Sequence, residues 1–249
     1  MPMLNTGVSF SIGSFAAWAP GAETRDSWLA WAHGEHSICG IQAPAVRAMP
    51  PMLRRRAGLL AKMALEVAYQ CSGDLMDVPA VFCSRHGEAA RSVDLLLDLS
   101  KFGALSPTSF SLSVHNATAG LFSIARGDHA NTIALAAGQS TVEYGVIEAC
   151  GLLADGEPRV LLVVYDCPLP AVYQAFQDCH EQPFAWSWLM RPASNDVVSL
   201  SWSASHRNQS INSGRFPGGL EILRFFLRKD IRLYFLLYVG ALDIAQVPL

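Results

Sequence analysis

The sequence predicts an α/β fold layered around a largely parallel central sheet, on three observations. Apolar runs of strand length alternate with helical patterns through most of the chain. Gly, Pro, Asn and Asp mark the junctions between them. Of the 249 residues, 51% are hydrophobic and 16% charged, so the chain can bury a sizeable core and is not disordered. One domain over residues 1–249 is expected, with 171–249 its less regular part.

VSFSIGSFAAWAPG reads as a strand ending in a Pro-Gly turn. RDSWLAWAHGE reads as a short helix with Trp28 and Trp31 on one face, stopped near Gly34. After Pro50-Pro51, LRRRAGLLAKMALEVAYQC reads as one helix lying on one side of the sheet. Leu60, Met63, Ala64, Val67, Ala68 and Cys71 fall at helical spacing, and Lys62 lies one turn before Glu66. VPAVFCS is a buried strand, bounded by Pro79 and the polar SRHGE. EAARSVDLLLDLSKFG is a helix that Gly103 closes.

SPTSFSLSVHNATAGLFSIARGD enters in extended form at Pro107 and turns at Gly127-Asp128, which places His115 and Asn116 at a strand-helix junction. A strand at 132–137, an elbow, a helix at 140–153, a turn at Asp155-Gly156 and the strand RVLLVVYDC follow. Beyond lie two strands, FAWSWLM and VVSLSWSAS, the polar loop RNQSINSGRFPGG, the helix LEILRFFLRK and a final apolar strand or helix. The apolar positions of helix 140–153 spread around more than one face, so the C-terminal eighty or so residues, or a partner, must cover its second side.

A net charge of -3 and a pI near 6.1 give no global reason to expect nucleic acid or an anionic membrane surface as partner. The six cysteines, at 39, 71, 83, 150, 167 and 179, form no CxxC pair and read as reduced thiols rather than a disulfide framework or zinc site. His33 and His36 are spaced for a metal, but with glycine between them and no third ligand in sequence they read as a surface turn. MPMLNTGVSFSIG lacks the pattern of a signal peptide. Arg228, Lys229, Asp230 and Arg232 interrupt the most lipid-like segment, so no membrane span is expected, and the expected location is the cytoplasm. A mean hydropathy of +0.25 is high for such a chain, and an apolar face covered by a partner subunit would account for it.

IALAAGQSTVEYGVIEACGLL, residues 133–153, has the pattern of a strand-turn-helix elbow with Gln139 at its tip. Enzymes present nucleophiles on such elbows, and glutamine is not one. Two readings stand: Gln139 is a polar turn residue, or its amide fills a vacated nucleophile site and hydrogen-bonds in the elbow. Ser140 offers a third class of function, an acyl transferase or hydrolase. GQSTV is similar to the GxSxG nucleophile elbow, and Asp166 and His206 follow in Ser, Asp, His order. Val142 stands where that motif needs its last glycine. Trp186 and Trp188 alternate at strand period and read as core or interface.

Three segments in order carry a family resemblance. SPTSFSLSVHNATAG, PPMLRRRAGLLAKMALEVA and the stretch from Gly127 through Gly138-Gln139-Ser140 resemble segments of the condensing enzymes, the β-ketoacyl synthases of thiolase-like fold. The resemblance covers roughly residues 45–170. It implies a layered thiolase-like fold, essentially the N-terminal half of a ketosynthase with a divergent C-terminal cover.

The resemblance also places Gln139 where the catalytic cysteine would stand. A ketosynthase needs that thiolate and two histidines. This chain has no cysteine between 84 and 149, and His180 and His206, the histidines downstream, lie outside the family's histidine contexts. The resemblance therefore implies a non-catalytic, chain-length-factor-like subunit similar to those of aryl-polyene-type assembly, with no cofactor and no metal. The implied partners are a catalytic ketosynthase, as a heterodimer, and an acyl carrier protein.

By the same resemblance Val114, His115, Asn116, Thr118, Phe122, Ile133, Leu135 and Gly138 are candidates for the tunnel wall and interface. Arg54, Arg55 and Arg56 form either a solvated helical turn or a contact for the acidic carrier protein. A homodimeric acyl-binding protein is the remaining alternative.

Overall fold

A computed structural model describes residues 7–203, 216–237 and 240–247. The strands are β1 (Gly7–Trp18), β2 (Ala80–Cys83), β3 (Thr132–Leu135), β4 (Val160–Asp166), β5 (Phe184–Pro192), β6 (Val197–Ser203), β7 (Arg232–Leu237) and β8 (Gly240–Val247). The helices are α1 (Arg25–His33), α2 (Pro51–Arg54), α3 (Leu59–Ser72), α4 (Ala89–Phe102), α5 (Pro107–Ser111), α6 (Ala117–Arg126), α7 (Thr141–Ala154) and α8 (Gly218–Arg228).

All the strands join one sheet in the order β3-β2-β4-β5-β1-β6-β8-β7. The expectation of a largely parallel sheet needs correction. Among the described residues β2 pairs parallel with β3 and with β4, and the other pairings are antiparallel. Connections set the direction. Helices α4–α6 cross from β2 to β3 and α7 from β3 to β4, which parallel pairing requires. Past β4 only a short 3-10 helix, Ala171–Phe176, intervenes, and the chain returns antiparallel as β5. β1 then inserts between β5 and β6.

Strand β4 shows why helices cover both faces. All seven of its residues are buried. Leu161, Val163 and Tyr165 pack on one side with α3 residues such as Met63, Ala64 and Val67. Val160, Leu162 and Val164 pack on the other with Val142, Val146 and Ala149 of α7 and Leu220 and Leu223 of α8. Helix α8 thus supplies the second cover that α7 demands. Helix α1 joins that face, its Trp28 and Trp31 rings 5.2 Å apart and edge-to-face. Thr24 and Ser27 cap its start reciprocally, and Gly34 ends it in the left-handed region.

Local expectations also change. The single helix expected across 53–71 is broken, because Gly58 is extended and starts α3 afresh. Glu66 bonds to the Val46 N–H at 2.8 Å and to the Gln70 amide at 2.9 Å rather than pairing with Lys62. The extended entry at Pro107 is instead the first turn of α5. Proline's fixed φ suits that position, and the Ser106 hydroxyl accepts from the Ser109 N–H at 3.3 Å. His115 and Asn116 therefore sit in a helix-helix turn, and Asn116 makes no side-chain cap.

Helix α7 approaches β2 closely at Gly145, where an added Cβ would run into Cys83 Sγ and stand 3.2 Å from Leu162 Cδ1. Overpacking there sets a test. Gly145→Ala is expected to lower stability in urea unfolding by about 1–3 kcal/mol. Adding Cys83→Ala opens the space and recovers part of that loss, so the two changes are non-additive.

Candidate functional site

The elbow is held by backbone conformation and by one buried hydroxyl. After β3, Gly138 takes φ +59, a left-handed value, and begins a 3-10 turn, Gly138–Ser140, that runs straight into α7. The Thr141 hydroxyl accepts from the Ala137 N–H at 3.0 Å and donates to the Gly138 carbonyl at 2.7 Å. Gln139 is left exposed at the tip.

The Gln139 amide does not bond within the elbow. Its Nε2 donates to Asp178 Oδ2 at 2.7 Å, and Asp178 accepts from Arg85 Nη2 at 2.8 Å on both oxygens. Burial works against charge on Asp178, but the hydrogen bonds from Arg85 and Gln139 and the guanidinium charge outweigh it and hold the carboxyl below its ordinary range. Arg85 Nη1 also reaches Cys179 Sγ at 3.4 Å. The clamp spans three segments: the elbow, the turn after β2 and the loop before β5.

That turn, Ser84 to Gly87, is the hub. Asp166, at the end of β4, accepts from Ser84 Oγ at 2.8 Å and from the Arg85 N–H at 2.9 Å. Burial pushes its carboxyl above the ordinary range, and these donors oppose the shift. His86 Nε2 meets Glu181 Oε1 at 3.1 Å, while Glu181 Oε2 accepts from the Leu169 N–H at 2.7 Å. His115 Nε2 donates to the Ser84 carbonyl at 2.8 Å, and its Cδ2 would lie 2.9 Å from a Cβ at Gly87. Only glycine leaves that ring room.

The convergence of segments thus brings two predicted residues to one place. His115 docks on Ser84, and Gln139 reaches Arg85 through Asp178. Others lie elsewhere. Val114 is 44% exposed in the α5–α6 turn, whereas Thr118 and Phe122 are buried. The Phe122 ring packs 5.3 Å from Tyr69 and 5.7 Å from Phe82, inside the core of this chain. Ile133 and Leu135 are half-buried on β3, the end strand of the sheet. Arg54 donates to the Ala45 and Val46 carbonyls at 3.3 and 3.4 Å, while Arg55 and Arg56 are exposed.

Trp186 and Trp188 are core residues with rings 4.6 Å apart. His36 bonds to the Gly21 carbonyl at 2.6 Å, and among the described residues no cluster of metal ligands occurs. For the serine-hydrolase reading, Asp166 is engaged by Ser84, Arg85 and His86 rather than by Ser140 or a histidine ring, and His206 lies outside the described residues.

Sequence reasoning missed Arg85, His86, Asp178 and Glu181. One signal was available: SRHGE packs ionisable side chains directly after a buried strand, at the strand ends where open α/β sheets place their sites. Nothing local marks Asp178, which lies 93 residues from Arg85. Chemically, the site holds fixed charges and an amide. Burial raises the thiols of Cys167 to about 12 and Cys179 to about 11, and raises Cys83 as well, so none is a thiolate at neutral pH.

The depressed Asp178 carboxyl sets a pH dependence. Its ion pair stabilises the fold above the ordinary carboxyl range, and that contribution is lost as pH falls through the lower folded-state value. Asp178 is a third exposed, so the effect is small. At neutral pH Asp178→Asn is expected to cost roughly 1 kcal/mol or less in urea unfolding. The difference from wild type should shrink as pH falls through the lowered folded-state value of Asp178.

Comparison with known proteins bears on this arrangement. A chain of the ketosynthase ApeO in complex with its chain length factor ApeC, from Xenorhabdus doucetiae, superposes with TM-score 0.79 at 23% identity, covering 96% of this chain and 99% of that one. The ishigamide ketosynthase/chain length factor gives 0.63 at 14%, covering 82% and 68%. A type II polyketide acyl-carrier protein in complex with its ketosynthase, AntDE:AntF, gives 0.69 at 9%, covering 98% and 100%. No curated protein matches the sequence. At these identities the structures share the thiolase-like fold. The family described as "Beta-ketoacyl synthase, N-terminal domain" matches residues 28–235, and the chain therefore belongs to the β-ketoacyl synthase family.

Proposed function

We propose that the chain is a non-catalytic, chain-length-factor-type subunit. It pairs with a catalytic ketosynthase and shapes the acyl tunnel during polyene or fatty-acid-type elongation, with an acyl carrier protein delivering substrate. The observation that carries this reading is the elbow. Where the family's resemblance places a nucleophilic cysteine, the chain has Gln139, whose amide is tied to Asp178 and Arg85. An amide cannot accept an acyl group under these conditions, and the thiols on the converging segments are protonated.

Two further features support a partner. β3 ends the sheet, so the N–H and C=O groups on its outer side can pair with a second chain. Phe102, Phe110 and Val114 are 74%, 58% and 44% exposed, more apolar surface than this region would leave to water without cover. The ketosynthase and chain length factor assemblies among the similar structures favour a heterodimer over a homodimer. Val114, on the exposed turn beside His115, is the residue proposed to reach the partner's tunnel. The single sheet that runs from β3 to β7 supports treating the whole chain as one domain.

Size-exclusion chromatography with light scattering tests the pairing. Co-expressed with a candidate catalytic ketosynthase, the chain is expected to elute as a one-to-one complex, and failure to bind any ketosynthase would overturn the reading. Within that complex Val114→Phe should shift the products to shorter chains. An unchanged product distribution would remove Val114 from the tunnel.

A further inference from the structure

Strand β1 loses a neighbour part-way along its length. β6 pairs with it from Gly7 to Ser11, and the chain passes from β5 on one side of β1 to β6 on the other through residues 193–196. From Ile12 to Trp18, β1 therefore pairs on its β5 side alone among the described residues. At the same point the register against β5 shifts between Ile12 and Ser14, which leaves Gly13 as the extra residue of a β-bulge. Such bulges occur at sheet edges, where they end pairing and re-aim side chains.

The gap is flanked by α1 and by the C-terminal end of α8. It holds a groove in which the space open to the centre of a water molecule is about 340 Å³. That volume lies at the small end of the range for small-molecule sites, about 300–1,000 Å³. Both polar and apolar atoms are exposed to it. Phe15, Leu29, Val198 and Phe226 form its apolar wall, and the Phe15 and Phe226 rings meet edge-to-face with centroids 5.0 Å apart. Arg25, Lys229 and Asp196, all exposed, form its rim.

That rim carries more positive charge than the chain itself uses. Among the described residues the side chains of Arg25 and Lys229 make no ion pair, with Asp196 or elsewhere. The Arg25 guanidinium lies over the Phe15 ring, 5.6 Å from its centroid, so it is held above the apolar wall. Lys229 is placed by its backbone, since it ends α8 in the left-handed region at φ +57. Two cations against one carboxylate leave a single positive charge for a ligand to balance.

We infer that this groove binds a monoanionic amphiphile, a carboxylate on one unbranched hydrocarbon chain. The carboxylate accepts hydrogen bonds from Arg25 and Lys229, and the chain lies against Phe15, Leu29 and Phe226. Charge-assisted bonds orient the head, and burial of methylene groups supplies most of the affinity. The groove is separate from the proposed tunnel. β1 stands four strand positions from β3, about 19 Å at the ordinary strand spacing, and neither the elbow nor its clamp lines the groove. The inference goes beyond the chain-length-factor reading and needs no partner subunit.

Isothermal titration of the full chain with dodecanoate, kept below its micelle-forming concentration, tests the site. Saturable one-to-one binding is expected, weakened by salt, with dodecyltrimethylammonium unable to compete. Arg25→Gln combined with Lys229→Asn should weaken binding by about tenfold, because hydrogen bonds to charged groups are lost while the groove is kept. Both positions are exposed, and asparagine suits the left-handed cap, so the double variant is expected to fold. Leu29→Trp fills the groove and should abolish binding although the rim charges remain. Absence of binding, equal binding of the cationic amphiphile, or unchanged affinity in the double variant would overturn the inference. If Leu29→Trp does not fold, the double variant and the salt dependence still decide it.

Discussion

Strand β4 must bury every one of its side chains, and much of the rest answers to that demand. A strand with apolar side chains on both faces needs a helix layer on each, and one large side chain fully buried contributes about 1.5–3 kcal/mol as an upper estimate. Helix α3 supplies one layer, and α7 with α8 supplies the other. The strand ends in Asp166, a carboxylate at 6% exposure. A charge so placed needs donors, and Ser84, Arg85 and His86 provide them from the end of the neighbouring parallel strand. The turn that satisfies Asp166 thereby fixes the backbone from which Arg85 reaches Asp178.

The elbow's geometry owes nothing to a nucleophile. Gly138 supplies the left-handed turn, Thr141 ties it with two hydrogen bonds, and Gly145 lets the following helix settle onto Cys83. The start of α8 crowds the same tip, since a Cβ at Gly218 would stand 3.3 Å from the Gln139 carbonyl. The chain needs this shape to bury β4, whatever residue stands at the tip. The tip residue, Gln139, clamps a neighbouring loop through Asp178.

The sequence made legible those elements whose pattern is local. The apolar runs of β2 and β4, the helical spacing of α3 and the all-round apolar surface of α7 all appear where they were expected, and so does the family. The errors arose where one residue type serves two conformations or where a partner is distant. Pro107 has the same φ at the mouth of an extended segment and in the first turn of a helix, and only Ser106 capping Ser109 decides between them. Gly58 reads as a tolerated helix glycine until tertiary packing makes it a break. Strand direction depends on connections, so a rhythm of alternating elements predicted parallel pairing that β5 and β1 do not follow. Half of the site was legible, because Gln139 announces itself in an elbow, whereas Asp178 comes from a loop 39 residues further on.

Helix α7 is thereby constrained at both sides of its first turn. Outward, the chain reaches Asp178 and Arg85 through polar bonds at the exposed tip. Inward, Glu143 introduces a carboxyl into a layer that is otherwise apolar. A purely hydrophobic side chain of similar volume at 143 would pack this interface at lower cost, since a buried polar group without a partner is unfavourable by about 1–3 kcal/mol. The elbow's attachment to the loop at Asp178 depends on an ion pair that acid weakens, while its attachment to the sheet is apolar apart from Glu143.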